Sequence, residues 1–233
     1  MGGQAREGSA GTGPGVITPD GSPVEWWLRL PVGREPDVIA SVSPPGARLL
    51  ELGCGVGRVT RPLLRRGFTV TAVDESPEML AHVSGARTVC SPIEALELGD
   101  ERFDVVVLGS FLVHSGDPAV RRGLLAACRR YVAPGGAVLI EREGEDWHVR
   151  VPRERELGNG GVVRVVSADP VDADTSRIRV EYAIDGAEWS QTFLSHRYGE
   201  GAFERALAGA GLAFDAALTD DGCWVRALPV DAR

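Results

Sequence analysis

The chain has 233 residues, a length that suits one domain with a sizeable buried core. Its formal net charge of −8, with acids interleaved among the arginines, argues against a nucleic-acid partner. No apolar run approaches the roughly 20 residues of a membrane span, and the amino terminus lacks the basic start and apolar segment of a signal peptide. The cysteines at 54, 90, 128 and 223 show no C-x-x-C pair. We therefore expect a cytoplasmic protein with reduced thiols and no metal site.

The amino-terminal region is predicted to contain a flexible segment and then a helix. Residues 1–19 are rich in glycine and almost free of large apolar side chains, so we expect them to be disordered or to form a lid. Ser22-Pro23-Val24-Glu25 has the pattern of a capping box, and a helix should follow through Trp26 and Trp27. Neighbouring residues lie about 100° apart on a helix, so one tryptophan can enter the core while the other meets a ligand.

A second short helix, Pro36 to Val42, feeds the first strand, and a glycine-rich turn follows that strand. The apolar run Arg48 to Leu52 is followed by glycines at 53, 55 and 57 and then by a helix that ends near Arg66, which is the order strand, tight turn, helix. Glycine is needed in such a turn because a Cβ would block left-handed conformations and keep the backbone away from a ligand. A dinucleotide motif, G-x-G-x-x-G, would require glycine where Arg58 stands, so a Rossmann dehydrogenase is disfavoured.

Strands and helices alternate from residue 48 to residue 141. A second strand, from Phe68, ends in Asp74, whose carboxylate can accept hydrogen bonds from ribose hydroxyls. Helices are predicted after the caps at Ser76 and Asp117, and the further predicted strands are 88–90, 103–108 and 137–140. This alternation predicts an α/β fold with a parallel sheet, helices on both faces, and ligands beyond the carboxyl ends of the strands.

The pattern changes after Glu143. Three segments at 162–166, 177–184 and 188–195 alternate apolar and polar residues, and Asp185-Gly186 predicts a hairpin between the last two. We interpret about 150–197 as an antiparallel β insert that covers the crevice, pairs with a second subunit in a homodimer, or does both. A helix from Phe203 to Ala210 and strands at 212–218 and 223–228 end the chain, so residues 20–233 form one domain.

This combination resembles the class I S-adenosylmethionine-dependent methyltransferases. The similarity rests on the pattern E-x-G-x-G-x-G at Glu51 to Gly57, on a strand ending in Asp74, on the strand from Phe103, and on the turn Pro134-Gly135-Gly136 before another strand. The resemblance implies a Rossmann-like seven-stranded sheet with a terminal antiparallel strand pair, and S-adenosylmethionine as the cofactor.

The resemblance also implies which residues bind that cofactor. Glu51 would hold the ammonium group and Asp74 the ribose, while Trp27 or Arg29 would lie over the amino-acid end. The remaining predicted contacts are Gly53, Cys54 and Gly55 in the turn, Glu75, Ser91 and Ile93 near the adenine, and Leu108, Gly109 and Ser110 at a strand tip. Ser91 stands where many relatives have an acid, and Pro92 has no N–H to give, so adenine contacts should be weaker or shifted to Ile93.

The expected reaction is in-line methyl transfer to a small molecule, to oxygen more than to nitrogen or carbon. A general base is needed only if the acceptor must lose a proton; His114 is the candidate, although related proteins often use a histidine there structurally. The arginine- and glycine-rich composition is associated with high-GC bacteria, in which such enzymes often modify natural products. The alternatives are a non-methylating cyclase or binding module of the same fold, and an NAD-dependent oxidoreductase.

Overall fold

The computed structural model of the chain describes residues 5–144 and 146–230, which divide into two compact units. The large unit comprises residues 33–144 and 198–230, and the small unit comprises residues 5–32 and 146–197. The strands in chain order are β1 (Ala10–Thr12), β2 (Arg48–Leu52), β3 (Thr69–Asp74), β4 (Arg87–Cys90), β5 (Phe103–Leu108), β6 (Val132–Glu141), β7 (Arg153–Glu156), β8 (Val162–Pro170), β9 (Thr175–Ile184), β10 (Ala187–His196), β11 (Leu212–Ala217) and β12 (Trp224–Pro229). The α-helices are α1 (Val24–Arg29), α2 (Glu35–Ala40), α3 (Thr60–Arg65), α4 (Pro77–Leu80), α5 (Pro118–Tyr131) and α6 (Ala202–Gly209), and short 3-10 helices span Ile93–Ala95 and Leu112–His114.

The large unit is built on a seven-stranded sheet with the order β11-β12-β6-β5-β2-β3-β4. The five strands from β6 to β4 are parallel, and the terminal pair β11–β12 is antiparallel and joins the sheet beside β6. These features confirm the seven-stranded α/β fold with a terminal antiparallel pair. Because the five strands are parallel, their carboxyl ends, including Leu52, Asp74 and Leu108, meet at one edge.

Both faces of this sheet are covered by helices. Leu50 and Val106 contribute to one apolar cluster, which also contains Leu124 of α5 and Leu207 of α6. The neighbouring residues of the same strands, such as Leu49, enter a second cluster with residues of α2 and α3. Successive side chains of a strand point to opposite faces, so strands buried on both faces read as continuous apolar runs. This burial fixes the sheet that carries the candidate site.

The small unit is an antiparallel sheet with the order β1-β10-β9-β8-β7. Alternate residues of β9, from Ile178 to Ile184, pack in one apolar cluster with Trp26, which stacks on Tyr182 at a centroid distance of 4.9 Å. The two-residue turn Asp185-Gly186 links β9 and β10 with both residues at positive φ, which confirms the predicted hairpin. The antiparallel character of the insert is also confirmed.

The structure differs from the sequence-based expectations around the amino terminus. Residues 1–4 lie outside the described residues, but Ala10–Thr12 forms an edge strand on β10, whereas we expected residues 1–19 to be flexible or a lid. The expected capping box is wrong, because α1 begins after Pro23 without a side-chain cap. The Ser22 hydroxyl instead donates to Asp20 and accepts from Gln191, so a tertiary partner replaces the local one.

Two further differences concern strand boundaries. The sequence did not predict β7, whose Arg153–Glu156 segment pairs with β8. Strand β6 begins at Val132 instead of Ala137, since Val132 pairs with Phe103 and the chain bulges before pairing resumes at Ala137. Within the described residues, no helix has the length and apolar character to cross a membrane.

Candidate functional site

The glycine turn follows directly after β2. Gly53, Gly55 and Gly57 have φ angles of 74°, 54° and 74°, which confirms the predicted left-handed conformations. A Cβ on Gly53 would lie 2.5 Å from Leu112 Cδ1, so packing as well as conformation requires glycine there. A Cβ on Gly55 would approach only Met79 Sδ, at 3.9 Å, so the backbone at Gly55 is open to a ligand.

Asp74 joins the turn to the end of β3. The amides of Gly53 and Cys54 donate to the Val73 carbonyl at 2.8 and 2.9 Å, which holds the turn against the neighbouring strand. One Asp74 oxygen accepts the Gly55 amide at 2.8 Å and the other accepts the Ser76 amide at 2.9 Å. The two strand tips therefore adjoin, as the sequence predicts, and the carboxylate has a fixed orientation.

Glu51 is buried beneath the turn, and only 5% of its surface is exposed. The Thr60 hydroxyl donates to its carboxylate at 2.6 Å. Burial is the main reason that the pKa of Glu51 rises from 4.5 to about 7; the Thr60 hydrogen bond and Arg58 oppose the shift, and Asp74 adds to it. Glu51 is therefore not a solvent-exposed strand terminus.

Arg58 forms an ion pair that the sequence did not indicate. Its guanidinium lies 2.7 Å from Glu35 Oε1, and both side chains are 14% exposed. The sequence analysis used Arg58 as a position where a dinucleotide motif would need glycine, and it missed both Glu35 and Thr60. The sequence could have indicated the Thr60 contact, because Thr60 lies nine residues after Glu51 on the helix that follows the turn.

The third predicted contact region follows β4. The Ser91 amide donates to the Asp74 carbonyl at 3.0 Å, and its hydroxyl donates to the Pro92 carbonyl at 2.9 Å. Ile93 is buried, with Cδ1 3.9 Å from the position of a Cβ on Gly53. Glu75 is half-buried, and its carbonyl accepts a weak hydrogen bond from the Cys90 thiol. The structure thus brings Ser91 and Ile93 to the same edge as Asp74.

The tip of β5 lies beside β2, because Leu108 pairs with Leu52 in the parallel register. Leu108 is fully buried, and the chain then turns sharply at Gly109 and Ser110. The Ser110 amide donates to Glu141 Oε2 at 2.7 Å. Burial raises the pKa of the Glu141 carboxyl above its ordinary value, and the Ser110 hydrogen bond opposes this.

His114 is buried, and both ring nitrogens have partners in the large unit. Nε2 accepts the Glu143 amide at 2.9 Å, and Nδ1 lies 3.4 Å from a Glu143 carboxylate oxygen. The Tyr198 ring packs edge-on against the imidazole, and the Tyr198 hydroxyl donates to the Val113 carbonyl. This arrangement is the structural alternative that the sequence analysis left open, in which the histidine binds the backbone.

Two of the predicted cofactor contacts, Trp27 and Cys54, pack among other protein residues. Trp27 belongs to the small unit, where it packs beside the cluster that buries Trp26, so its contact with the cofactor stays a prediction. Cys54 is buried in the turn, and burial raises the pKa of its thiol far above the ordinary value, which makes the thiol unreactive. The four cysteines are unpaired, and the described part of the chain contains no cluster of side chains able to hold a metal.

These residues fit S-adenosylmethionine. The open backbone at Gly55 provides room for the ligand, and Asp74 presents an oriented carboxylate beside it. A carboxylate has about four acceptor positions, so one that is fixed by two amides can still receive hydroxyl groups. A separate depression lined by Arg48, Phe68 and Phe103 contains none of these predicted contacts.

Comparisons with known proteins agree with this geometry. Residues 50–140 match a family model described as a methyltransferase domain. Over 104 residues the chain is 36% identical to the ubiquinone biosynthesis O-methyltransferase of Caulobacter sp. (strain K31), a match that covers 41% of this chain and 40% of that protein. The corresponding protein of Pseudomonas aeruginosa (strain LESB58) is 35% identical over 104 residues, with 41% and 44% covered. The chain thus spans less than half the length of these curated relatives.

Solved structures match over much more of the chain. A crystal structure of an S-adenosylmethionine-dependent methyltransferase from Clostridium acetobutylicum ATCC 824 superposes with a TM-score of 0.69 at 15% identity, covering 88% of this chain and 95% of that one. CalS10, an amino pentose methyltransferase from Micromonospora echinaspora involved in calicheamicin biosynthesis, gives a TM-score of 0.62 at 25% identity, with 83% and 87% covered. The glycine turn, the fold and these matches show that residues 50–140 form a methyltransferase domain with the fold of the S-adenosylmethionine-dependent methyltransferases, and they support S-adenosylmethionine as its cofactor.

Proposed function

We propose that the protein transfers the methyl group of S-adenosylmethionine to a small-molecule acceptor at the carboxyl edge of the large unit's sheet. The observation that best supports this proposal is the 2.8 Å hydrogen bond from the Gly55 amide to Asp74, which joins the open turn to an oriented acid. When bound, the cofactor supplies a methyl group on a positively charged sulfonium. The protein then contributes mainly alignment and exclusion of water.

Each predicted contact has a role in this proposal. Asp74 receives the ribose hydroxyls, and Glu51 in its ionised form attracts the ammonium group. Glu75, Ser91 and Ile93 border the adenine. A hydroxyl and an apolar side chain replace the acid found in many relatives, so we expect adenine to be held mainly by packing. The turn from Gly53 to Gly55 and the β5 tip from Leu108 to Ser110 provide backbone contacts.

We propose a positioning role for His114 in place of the catalytic one. A general base must reach the acceptor proton with a nitrogen that can accept it. Nε2 of His114 already accepts the Glu143 amide, and Nδ1 faces the Glu143 carboxylate. His114 therefore connects the loop after β5 to the end of β6.

The acceptor atom remains a choice between oxygen and nitrogen. Oxygen is the expectation from sequence, and the curated relatives at 36% and 35% identity are named as O-methyltransferases. Nitrogen is the second candidate, because CalS10 is named as an amino pentose methyltransferase. A natural-product acceptor agrees with the CalS10 name and with the composition.

Binding and turnover experiments test this function. Calorimetry with S-adenosylmethionine and S-adenosylhomocysteine should detect binding, whereas NAD should not raise the melting temperature. Asp74→Ala should weaken both ligands by about 1.5–3 kcal/mol, the usual contribution of hydrogen bonds to a charged group. A screen of small hydroxyl and amine acceptors, with formation of S-adenosylhomocysteine as the readout, then distinguishes oxygen from nitrogen.

A matched control is available within the same sheet. Asp104 accepts the Arg48 amide at 2.8 Å at the opposite, amino-terminal edge. Asp104→Ala should reduce stability without changing cofactor affinity. Unchanged affinity in Asp74→Ala would contradict the ribose assignment, and binding without S-adenosylhomocysteine formation from any acceptor would favour a non-methylating cyclase or binding module.

Cellular location and assembly remain predictions as well. The unpaired cysteines fit a reducing cytoplasm. We also expect the protein to form a homodimer. Sedimentation at several protein concentrations, with and without S-adenosylhomocysteine, tests the dimer.

A further inference from the structure

The loop after β5 has a strained backbone. Ser110 and Phe111 have φ angles of 54° and 57°, and among the described residues the only other non-glycine with positive φ is Asp185 in its hairpin turn. Two consecutive L-residues in this region are unfavourable, because each Cβ crowds the following carbonyl. Such a conformation persists only where the surrounding structure imposes it.

Two reciprocal hydrogen bonds impose it here. Glu141, at the end of β6, accepts the Ser110 amide at 2.7 Å, and His114, in the loop after β5, accepts the Glu143 amide at 2.9 Å. The loop after β5 and the end of β6 therefore each provide a side chain that accepts a hydrogen bond from a backbone amide of the other. We call this set, Glu141, Ser110, His114 and Glu143, the strand-end clamp.

The strand-end clamp is connected to the glycine turn through the packing of Leu112. Leu112 lies between its two hydrogen bonds, and Leu112 Cδ1 is the atom that a Cβ on Gly53 would meet at 2.5 Å. Leu108 also pairs with Leu52, so the β5 tip and the glycine turn leave neighbouring strands side by side. The position of Leu112 therefore helps to set the position of the turn.

We propose that Glu141 is a positioning residue for the cofactor: it holds Ser110 in the left-handed conformation, so that the β5 tip and Leu112 support the glycine turn. The identity of the ligand rests on the proposed function. Glu141 acts through the Ser110 amide, from a strand separated from β2 by β5.

The experiment uses the full chain, with S-adenosylhomocysteine as the calorimetric probe. Glu141→Ala should reduce affinity about tenfold, roughly the effect of one such hydrogen bond. Glu141→Gln keeps an acceptor oxygen and should recover most of that loss. In a Ser110→Gly background, where glycine adopts positive φ without strain, Glu141→Ala should cost less than about threefold. This non-additivity separates a conformational role from direct ligand contact.

Two further variants keep the test decisive. If Glu141→Ala does not fold, Glu141→Asp retains the charge while shortening the reach to Ser110, and it should show the same dependence on Ser110→Gly. Asp104→Ala removes an equivalent hydrogen bond at the opposite edge, so it should lower the melting temperature and leave affinity unchanged.

The outcomes distinguish this inference from the proposed function. Normal affinity in folded Glu141→Ala overturns the positioning role alone. Equal losses in the Ser110 and Ser110→Gly backgrounds, with no recovery in Glu141→Gln, also overturn it, because the carboxylate would then act on the ligand itself. Failure of the unsubstituted chain to bind either S-adenosylmethionine or S-adenosylhomocysteine overturns the proposed function, and this inference with it.

Discussion

The burial of Glu51 predicts a pH-dependent stability that a single substitution should remove. The carboxyl is 5% exposed, and burial raises its pKa from 4.5 to about 7. Between these two values the unfolded chain is ionised at this position while the folded protein keeps the proton. The stability that Glu51 contributes is therefore fully present below pH 4.5 and is lost as the pH rises through about 7.

The size of this effect follows from the two pKa values. Each pKa unit corresponds to about 1.4 kcal/mol, so ionised Glu51 should cost the folded protein about 3 kcal/mol at pH 8. Glu51→Gln cannot ionise, and its amide oxygen can still accept the Thr60 hydroxyl. Relative to the unsubstituted protein, this variant should gain about 3 kcal/mol of unfolding free energy between pH 4.5 and pH 8.

Urea unfolding of both proteins at pH 4.5, 6, 7 and 8 measures this difference, and other titrations largely cancel in it. Glu97→Gln, the same substitution at an exposed glutamate, is the matched control. A Glu51→Gln difference that stays constant to within about 0.5 kcal/mol would refute the burial argument. Glu51→Gln should also bind S-adenosylmethionine more weakly at pH 8, since it lacks the charge that attracts the ammonium.

Two other predictions concern polar pairs in the large unit. His114→Ala removes both partners that the imidazole provides to Glu143, so urea unfolding should show a loss of about 1–3 kcal/mol; unchanged stability with abolished turnover would instead indicate a general base. Arg58→Met should cost about 3 kcal/mol because it leaves Glu35 uncompensated, and Arg58→Met with Glu35→Gln should recover most of that loss. Equal stability of the single and double variants would contradict an interaction between the two side chains.

Local chemistry explains why part of the site was predictable. The Gly53, Gly55 and Gly57 conformations depend on the φ range open to glycine, which is a property of each residue. The Ser76 and Asp117 caps accept amides two or three residues away, and both were predicted correctly. The alternation of strands and helices likewise predicted the parallel sheet and placed Asp74 beside the turn.

Other features depend on partners far away in the sequence. Ser22 has the local pattern of a cap, but Gln191, 169 residues later, binds its hydroxyl. Nothing near residues 10–12 indicates an edge strand, because its pairing partner is supplied by β10. The grouping of residues 5–32 with residues 146–197 was missed for the same reason.

By itself, the sequence determined the α/β fold with a parallel sheet, the glycine turn and the acid at residue 74, because period, capping and φ preference act over a few residues. Only the tertiary structure decided that Glu51 is buried with a raised pKa, that Arg58 pairs with Glu35, and that His114 is held by Glu143. Burial and long-range hydrogen bonds depend on which segments meet after folding. The chemical environment of a charged side chain is therefore fixed by neighbours that its local sequence does not contain.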